Sequence, residues 1–376
     1  MPFDPMITPA AQLWLRNDRD DEGESNNTDC TTAIPGANGN VPIDACNSYY
    51  NYDPAFAPAV AVAVIFGVLT TLHIVEAVIF RKRYAWVLIM GGTWETVAFI
   101  LHALGARDQQ QVAYATAWQL LFLLAPLWIN AFAYMTFARA AWFFQPERPF
   151  GWVQPASVAK YFVWADVLTF VVQGVGGIMA NPEAPADVVR IGLDVYLAGV
   201  GCQQFFILLF LAGFMVVFHR RASRSSMLDE PESGGKLEGN WKPLQFALYG
   251  VLGLITIRII YRMAEFAGGI SPSNPVPFHE EYAYALDCFP MMLCLLVLAI
   301  WHPGRYLVGP ESEFPRKSRA EKKTERLERK GAKRQRKQEK KARKGGSAAY
   351  EHVQQSNDSL EFNGQEYHRN DGYSNV

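Results

Sequence analysis

Between Pro54 and Pro303 the apolar residues gather into seven blocks, separated by short polar connections. The blocks run approximately from Ala57 to Phe80, Tyr84 to Ala106, Ala113 to Phe137, Ser157 to Ala180, Ile191 to Phe218, Pro243 to Ala267 and His279 to Trp301. Each is at least about 20 residues long, the length an α-helix needs to cross a hydrocarbon core of about 30 Å at 1.5 Å per residue. The pattern predicts an all-α integral membrane protein, a bundle of seven transmembrane helices. Three regions follow: an N-terminal segment, 1–54, a membrane domain, 55–303, and a polar tail, 304–376.

Lys and Arg set the expected direction of threading, because short cytoplasmic connections are enriched in them. Arg81, Lys82 and Arg83 follow the first block, Arg139, Arg148 and Lys160 cluster around the exit of the third, and Arg220, Arg221, Arg224, Lys236 and Lys242 follow the fifth. The even-numbered exits hold Arg107, then Arg190, then no basic residue between Gly268 and His279. The N-terminus is therefore expected outside the cytoplasm and the C-terminus inside. The formal charge of -1 carries no such information, since acidic residues near the start cancel a basic tail.

The polar ends add further expectations. Cys30 and Cys46 can close a small disulfide loop if the N-terminal segment faces an oxidising compartment, where Asn26 in the sequon Asn26-Asn27-Thr28 would be open to glycosylation. Met1 to Asn17 lacks a basic start followed by an apolar run, so no cleavable signal peptide is expected. From Arg316 to Lys344 the tail is dominated by Lys, Arg and Glu. Such a run is solvated, partly helical or disordered; the alternative is attraction to anionic inner-leaflet lipid, at about 1 kcal/mol per basic residue near the surface. No nucleic-acid partner is expected.

Inside the blocks, ionisable residues cost at least a few kcal/mol each and normally turn toward the bundle interior. Here they fall on stripes. Glu95 and His102 are seven apart, Asp166 and Gln173 are seven apart, and Arg258, Arg262 and Glu265 lie at offsets of four and seven, spacings that keep each set on one helical face. Gln119, Pro126 and Asn130 form a further stripe, and Asp287 stands just before Pro290 in the last block. Counted from the outer ends, Arg258 and Asp287 both lie roughly 12 to 14 Å deep, so they can pair. Glu76 and His73 are expected at the inner interface beside Arg81. Two readings of the deep residues stand together: a structural ion-pair network, and a polar cavity that accepts part of a substrate. The substrate-binding candidates are Glu95, Asp166, Gln173, Arg258, Arg262, Glu265 and Asp287.

These residues and their order resemble the fungal RTA-like lipid-translocating exporter family. The resemblance rests on Leu124-Ala125-Pro126 with Ala133-Tyr134-Met135 and Arg139, then Asp166 through Gln173-Gly174 and Gly176-Gly177. It continues through Gly199 with Gln203, Ile257-Arg258, Tyr261-Arg262, Glu265-Phe266 and Gly268, and closes on His279-Glu280, Tyr284, Asp287, Pro290-Met291 and His302-Pro303. One departure is Thr96-Val97-Ala98-Phe99, which lacks a Gly-Tyr pair. The resemblance implies a plasma-membrane or endomembrane protein that exports or flips amphiphiles, such as sphingoid long-chain bases or toxic sterol-like compounds, with membrane lipid as its partner. Because the deep carboxylates outnumber the deep arginines, Asp166 or Glu95 is expected to meet the protonated amine of such a substrate.

Rival classes fit less well. A receptor would carry Asp-Arg-Tyr where this chain has Ala138-Arg139 after Met135-Thr136-Phe137, and Asn-Pro-x-x-Tyr where it has Asp287-Cys288-Phe289-Pro290; a lipid or stress sensor without transport activity remains the alternative. A retinal protein needs a Lys in the last block, which has none. His73, His102, His279 and His302 are scattered over different helices, and Cys202, Cys288 and Cys294 have no partner at zinc-ligand spacing, so neither a metal site nor an enzyme is expected. No cofactor is expected, and no Gly-x-x-x-x-Gly-Lys motif for a nucleotide is present.

Overall fold

A computed structural model describes residues 31–43, 45, 47–145, 149–151, 153–180, 185–227, 241–268, 274–309, 312 and 314, with scattered positions between 324 and 336. Cys30, Cys46 and Asn26 lie outside the described residues, as does most of the stretch from Arg316 to Lys344. Seven helices long and apolar enough to span a membrane form among the described residues. They are α1 (Phe56–Phe80), α2 (Arg83–Arg107), α3 (Val112–Phe144), α4 (Pro155–Met179), α5 (Asp187–Arg224), α6 (Trp241–Ala267) and α7 (Glu280–Tyr306). The chain is an integral, multi-pass membrane protein. Phe150 and Val153 form an isolated bridge, and no strand occurs among the described residues.

Consecutive helices pack as neighbours from α1 through α5; α6 then packs on α5 and α3, and α7 on α6 and α1, which closes the ring. The third helix touches α2, α4, α6 and α7 and is the centre of the bundle. Ile129, Phe132, Tyr134 and Phe137 are accordingly fully buried on it. It also runs seven residues past the predicted end at Phe137. The charge of Arg139 does not stop it, because the guanidinium stacks over the Tyr84 ring at 3.9 Å. Its Nη1 also donates to the Met135 carbonyl at 3.1 Å.

Close approach of α4 and α5 depends on glycine. A Cβ on Gly176 would stand 2.7 Å from the Gly192 carbonyl oxygen, and one on Gly199 would stand 2.8 Å from Gln173 Cγ. Small residues of this kind let backbones meet where lipid offers no hydrophobic drive for helix association. Two π turns interrupt the regular helices, at Leu211–Met215 in α5 and Tyr284–Cys288 in α7. At the first, Gln245 Nε2 from α6 donates to the Met215 carbonyl at 3.4 Å.

Part of the N-terminal segment is an ordered cap on the α2–α3 connection. Asn47 bonds both the amide and the carbonyl of Ala33 at 3.1 Å. Gln110 Nε2 donates to the Gly39 carbonyl, Gln109 Nε2 donates to Asp53, and the Gln109 amide donates to the Asn38 carbonyl, at 2.8, 2.8 and 2.9 Å. The turn that presents these carbonyls holds Asn38 and Gly39 at φ 57° and 75°, the left-handed region both residue types tolerate.

At the opposite, tail-side face the packed unit runs to Phe314, where the Phe314 ring meets Trp142 edge-on at 5.9 Å. Lys82 Nζ there donates to Ser312 Oγ at 2.6 Å. The remainder, Pro315–Val376, forms a separate unit in which helical positions between 324 and 336 are described. Glu76 and His73 do not reach the interface beside Arg81 as the sequence suggests. Both are buried against α7: His73 Nε2 lies 3.1 Å from the Leu295 carbonyl, and Glu76 faces His73 at 3.3 Å and Arg305 at 3.7 Å. Arg81, at φ 52°, caps α1 and is exposed.

Candidate functional site

The deep polar residues of α6 and α7 form one cluster. Asp287 lies in the π turn of α7, whose widened backbone directs its fully buried carboxylate at α6. Arg258 Nε donates to its Oδ1, and Arg262 Nη2 lies 2.5 Å from its Oδ2. Arg262 Nη1 also donates to Glu265 at 2.7 Å. The expected Arg258–Asp287 pair is therefore present, and Arg262 adds to it: it serves two carboxylates, Glu265 and Asp287, so that Asp287 is shared by two guanidinium groups. Arg262 further stacks over the Phe122 ring of α3 at 5.2 Å. Arg258 Nη2 and Arg262 Nε are buried and without a hydrogen-bond partner among the described residues.

Beside this cluster, α3, α4, α5 and α6 bound a narrow cleft. Its walls are Leu123, Pro126 and Leu127 from α3, Phe170 and Gln173 from α4, Tyr196, Val200 and Gln203 from α5, and Arg258, Ile259 and Arg262 from α6. The enclosed space is about 10 Å³, room for on the order of one water molecule. Gln173 Nε2 donates to Gln203 Oε1 at 3.0 Å, which ties α4 to α5 at the polar side.

One helical turn toward the tail side, Asp166 is buried with Asn130 Nδ2 donating to its Oδ2 at 3.2 Å. The Tyr134 hydroxyl acts electrostatically on the same carboxyl, and no cationic side chain pairs with it among the described residues. Glu95, on α2, is fully buried, and neither carboxyl oxygen has a hydrogen-bond partner among the described residues. The charges of Arg258, Asp287 and Arg262 act on it. It is not among the residues that line the cleft, although the cleft residues Arg258 and Arg262 act on it.

Of the candidates, Gln173, Arg258 and Arg262 thus share the cleft, Asp287 and Glu265 fix the arginines, Asp166 underlies the cleft, and Glu95 is outside its lining. Gln203 and Tyr196 were not among the candidates. The adjacent amides Gln203 and Gln204 in an otherwise apolar stretch are the available signal for Gln203; Tyr196 gives none, because an aromatic in a span reads as packing.

A second polar group closes the N-terminal face. His102 Nε2 lies 2.8 Å from Glu280 Oε1, to which the Tyr284 hydroxyl also donates at 3.1 Å, while the Ala55 amide donates to Glu280 Oε2 at 3.0 Å. The His102 ring stacks on Trp118 at 4.2 Å between centroids. Burial, followed by the negative charge of Glu280, raises the Tyr52 phenol well above its ordinary range. Burial and the charge of Asp108 push Tyr50 up to about 12. Among the described residues no three His, Cys, Asp or Glu side chains converge as metal ligands.

A family model described as RTA1 like protein matches residues 88–309, from the start of α2 to just beyond α7. The chain is 41% identical over 303 residues to the "Probable lipid transporter atnI" of Emericella nidulans, covering 80% of this chain and 79% of that protein. It is 23% identical to the "Lipid-translocating exporter-like protein RTA1" of Leptosphaeria maculans, over 73% of this chain and 54% of the relative. It is 23% identical to the "Sphingoid long-chain base transporter RSB1" of Saccharomyces cerevisiae, over 68% and 73%. No solved structure matches the chain.

Proposed function

We propose that this chain, which belongs to the RTA1-like protein family, moves amphiphilic lipids between the leaflets of its membrane and acts as an exporter without catalytic activity. The substrate class is a single-headed amphiphile such as a sphingoid long-chain base or a toxic sterol-like compound. The orientation that accords with the basic connections puts the N-terminal cap outside and the tail in the cytoplasm, in the plasma membrane or an endomembrane.

The observation that carries this reading is Asp166, a buried carboxyl with no cation paired to it among the described residues, one turn beneath a cleft bounded by four helices. Its depth suits a headgroup amine whose hydrocarbon tail stays between helices or in lipid. The amine would satisfy a charge that the protein leaves unmatched, and the cationic side of the cleft, Arg258 and Arg262, would turn to hydroxyl oxygens. A cleft that admits about one water must widen to admit such a group. Separation of α4 and α5 from α3 and α6 would open it, breaking neither the Arg258–Asp287 bond nor the Gln173–Gln203 bond. The geometry therefore fits an occluded resting state.

The test is transfer of a fluorescent long-chain amine between leaflets of vesicles containing the purified protein, compared with protein-free vesicles. Accelerated transfer supports the reading. Saturable binding of the amine without any transfer would replace it with the sensor alternative.

A further inference from the structure

The charge count around the arginines leaves one group over. Arg258 and Arg262 are matched by Asp287 and Glu265, through contacts that use both oxygens of Asp287. The same guanidinium groups act electrostatically on Glu95, which is fully buried and has no donor for either oxygen among the described residues. Were it ionised, the cluster would carry a net negative charge in a site sealed from water. Holding a proton, it leaves the cluster neutral. The charged or titratable groups that act on it are Arg258 and Arg262 from α6 and Asp287 and Cys288 from α7. On its own helix the next titratable group on that face is His102, two turns toward the N-terminal face, with Phe99 between them.

We infer that Glu95 is the proton-carrying group of this protein and exchanges its proton for the positive charge of an amine lipid entering the cleft. The inference rests on the transport reading and supplies its energy source. A cationic headgroup that enters the cleft on its way to Asp166 passes Arg258 and Arg262 and repels them away from the cleft, toward Glu95. The Glu95 O–H bond then breaks, its proton passes to water at the open face, and the carboxylate left behind takes up the charge of the displaced guanidinium. One positive charge enters as one leaves, so the interior keeps its charge and no oxidant, reductant or nucleotide is consumed. A lipid of the same chain length with a hydroxyl in place of the amine brings no charge and releases no proton.

The experiment uses the full chain in vesicles, with a fluorescent single-chain primary amine and its alcohol counterpart as probes, a pH dye in the lumen, and infrared spectroscopy of the carboxylic acid C=O band. In the wild type a protonated-carboxyl band should be present at neutral pH, absent in Glu95→Gln, and bleached by the amine but not by the alcohol. An imposed pH gradient should drive amine transfer in the wild type and in Glu95→Asp, and this gradient response should be lost in Glu95→Gln. No band difference between wild type and Glu95→Gln overturns the inference whether or not lipid moves. Equal gradient responses in wild type and a folded Glu95→Gln protein also overturn it, leaving transport intact. A wild type that keeps the band but transfers no lipid overturns the transport reading, and coupling with it.

Discussion

Arg258 and Asp287 meet across α6 and α7 with both side chains almost wholly out of reach of solvent, 7% and 0% exposed. Truncating either leaves the other as a buried, underpaired charge, a loss of about 3–5 kcal/mol in comparable sites. Arg262 still holds the second oxygen of Asp287, so Arg258→Ala should fall at the lower end of that range. Glu265, with 15% of its side chain exposed, should tolerate replacement by Gln better. Thermal unfolding of the detergent-solubilised variants checks both: a clear loss for Arg258→Ala and a smaller one for Glu265→Gln.

That ion pair was legible from depth alone, because seven crossings of fixed thickness put Arg258 and Asp287 at the same level. The double role of Arg262 was not. It depends on the π turn at Tyr284–Cys288, which rotates Asp287 relative to a regular helix and leaves no period in the sequence. The apolar pattern ends the spans at Phe137 and Phe218 because Arg139, Arg220 and Arg221 read as interfacial charge, yet Arg139 is absorbed by Tyr84 and the helix continues. Nothing in the sequence of the N-terminal segment announces that it docks as a cap. Its docking uses Asn and Gln side chains against backbone carbonyls, contacts that follow no hydrophobic pattern. Likewise Glu76 finds Arg305 from the far end of the membrane domain, a pairing that nearest charge along the chain misassigns to Arg81.

The α4–α5 contact separates two glycines that are adjacent in sequence. A methyl on Gly176 would press into α5 backbone, 2.7 Å from the Gly192 carbonyl oxygen and 2.8 Å from Tyr196 Cα, whereas one on Gly177 meets nothing within 4 Å among the described residues. Gly176→Ala should therefore destabilise by about 1–3 kcal/mol, the usual cost of overpacking. Gly177→Ala should be neutral or stabilise by about 0.5–1 kcal/mol through helix propensity. Paired melting curves of the two variants decide it.

Tyr50 predicts an alkaline limit for the docked cap. Its phenol is raised from 10.0 to about 12 by burial and by Asp108, so the folded state favours the protonated form. The resulting stability is fully present below about pH 10 and is lost as pH rises toward 12, because the undocked phenol ionises first. The hydroxyl makes no hydrogen bond among the described residues, so Tyr50→Phe should leave the cap docked at neutral pH and remove this alkaline weakening. Protease susceptibility of residues 33–53 across that pH window measures it.

Seven crossings put the two ends of the membrane domain on opposite faces. With the cap outside, an epitope tag at the N-terminus should be reachable on intact spheroplasts and one after Val376 only after permeabilisation. A glycan at Asn26 and a Cys30–Cys46 disulfide are expected on that same outer side, read by glycosidase and reduction shifts in gel mobility. Reversed accessibility of the two tags would invert the proposed export direction.

The sharpest division between a structural network and a substrate site falls on Asp166. Asn carries the same shape and keeps an acceptor for Asn130 Nδ2, so Asp166→Asn preserves the contact at 3.2 Å while removing the capacity for negative charge. If the carboxyl only braces α3 against α4, the variant should lose a little stability and treat all lipids alike. If it receives a headgroup amine, transfer of a long-chain amine should fall by tenfold or more, corresponding to about 1.4 kcal/mol or more of lost interaction, while transfer of the matching alcohol stays within about twofold of wild type. Vesicle transfer rates for both lipids, measured on protein that elutes and melts as the wild type does, separate the cases. A proportional loss for amine and alcohol would remove Asp166 from the substrate path and return it to the packing between α3 and α4.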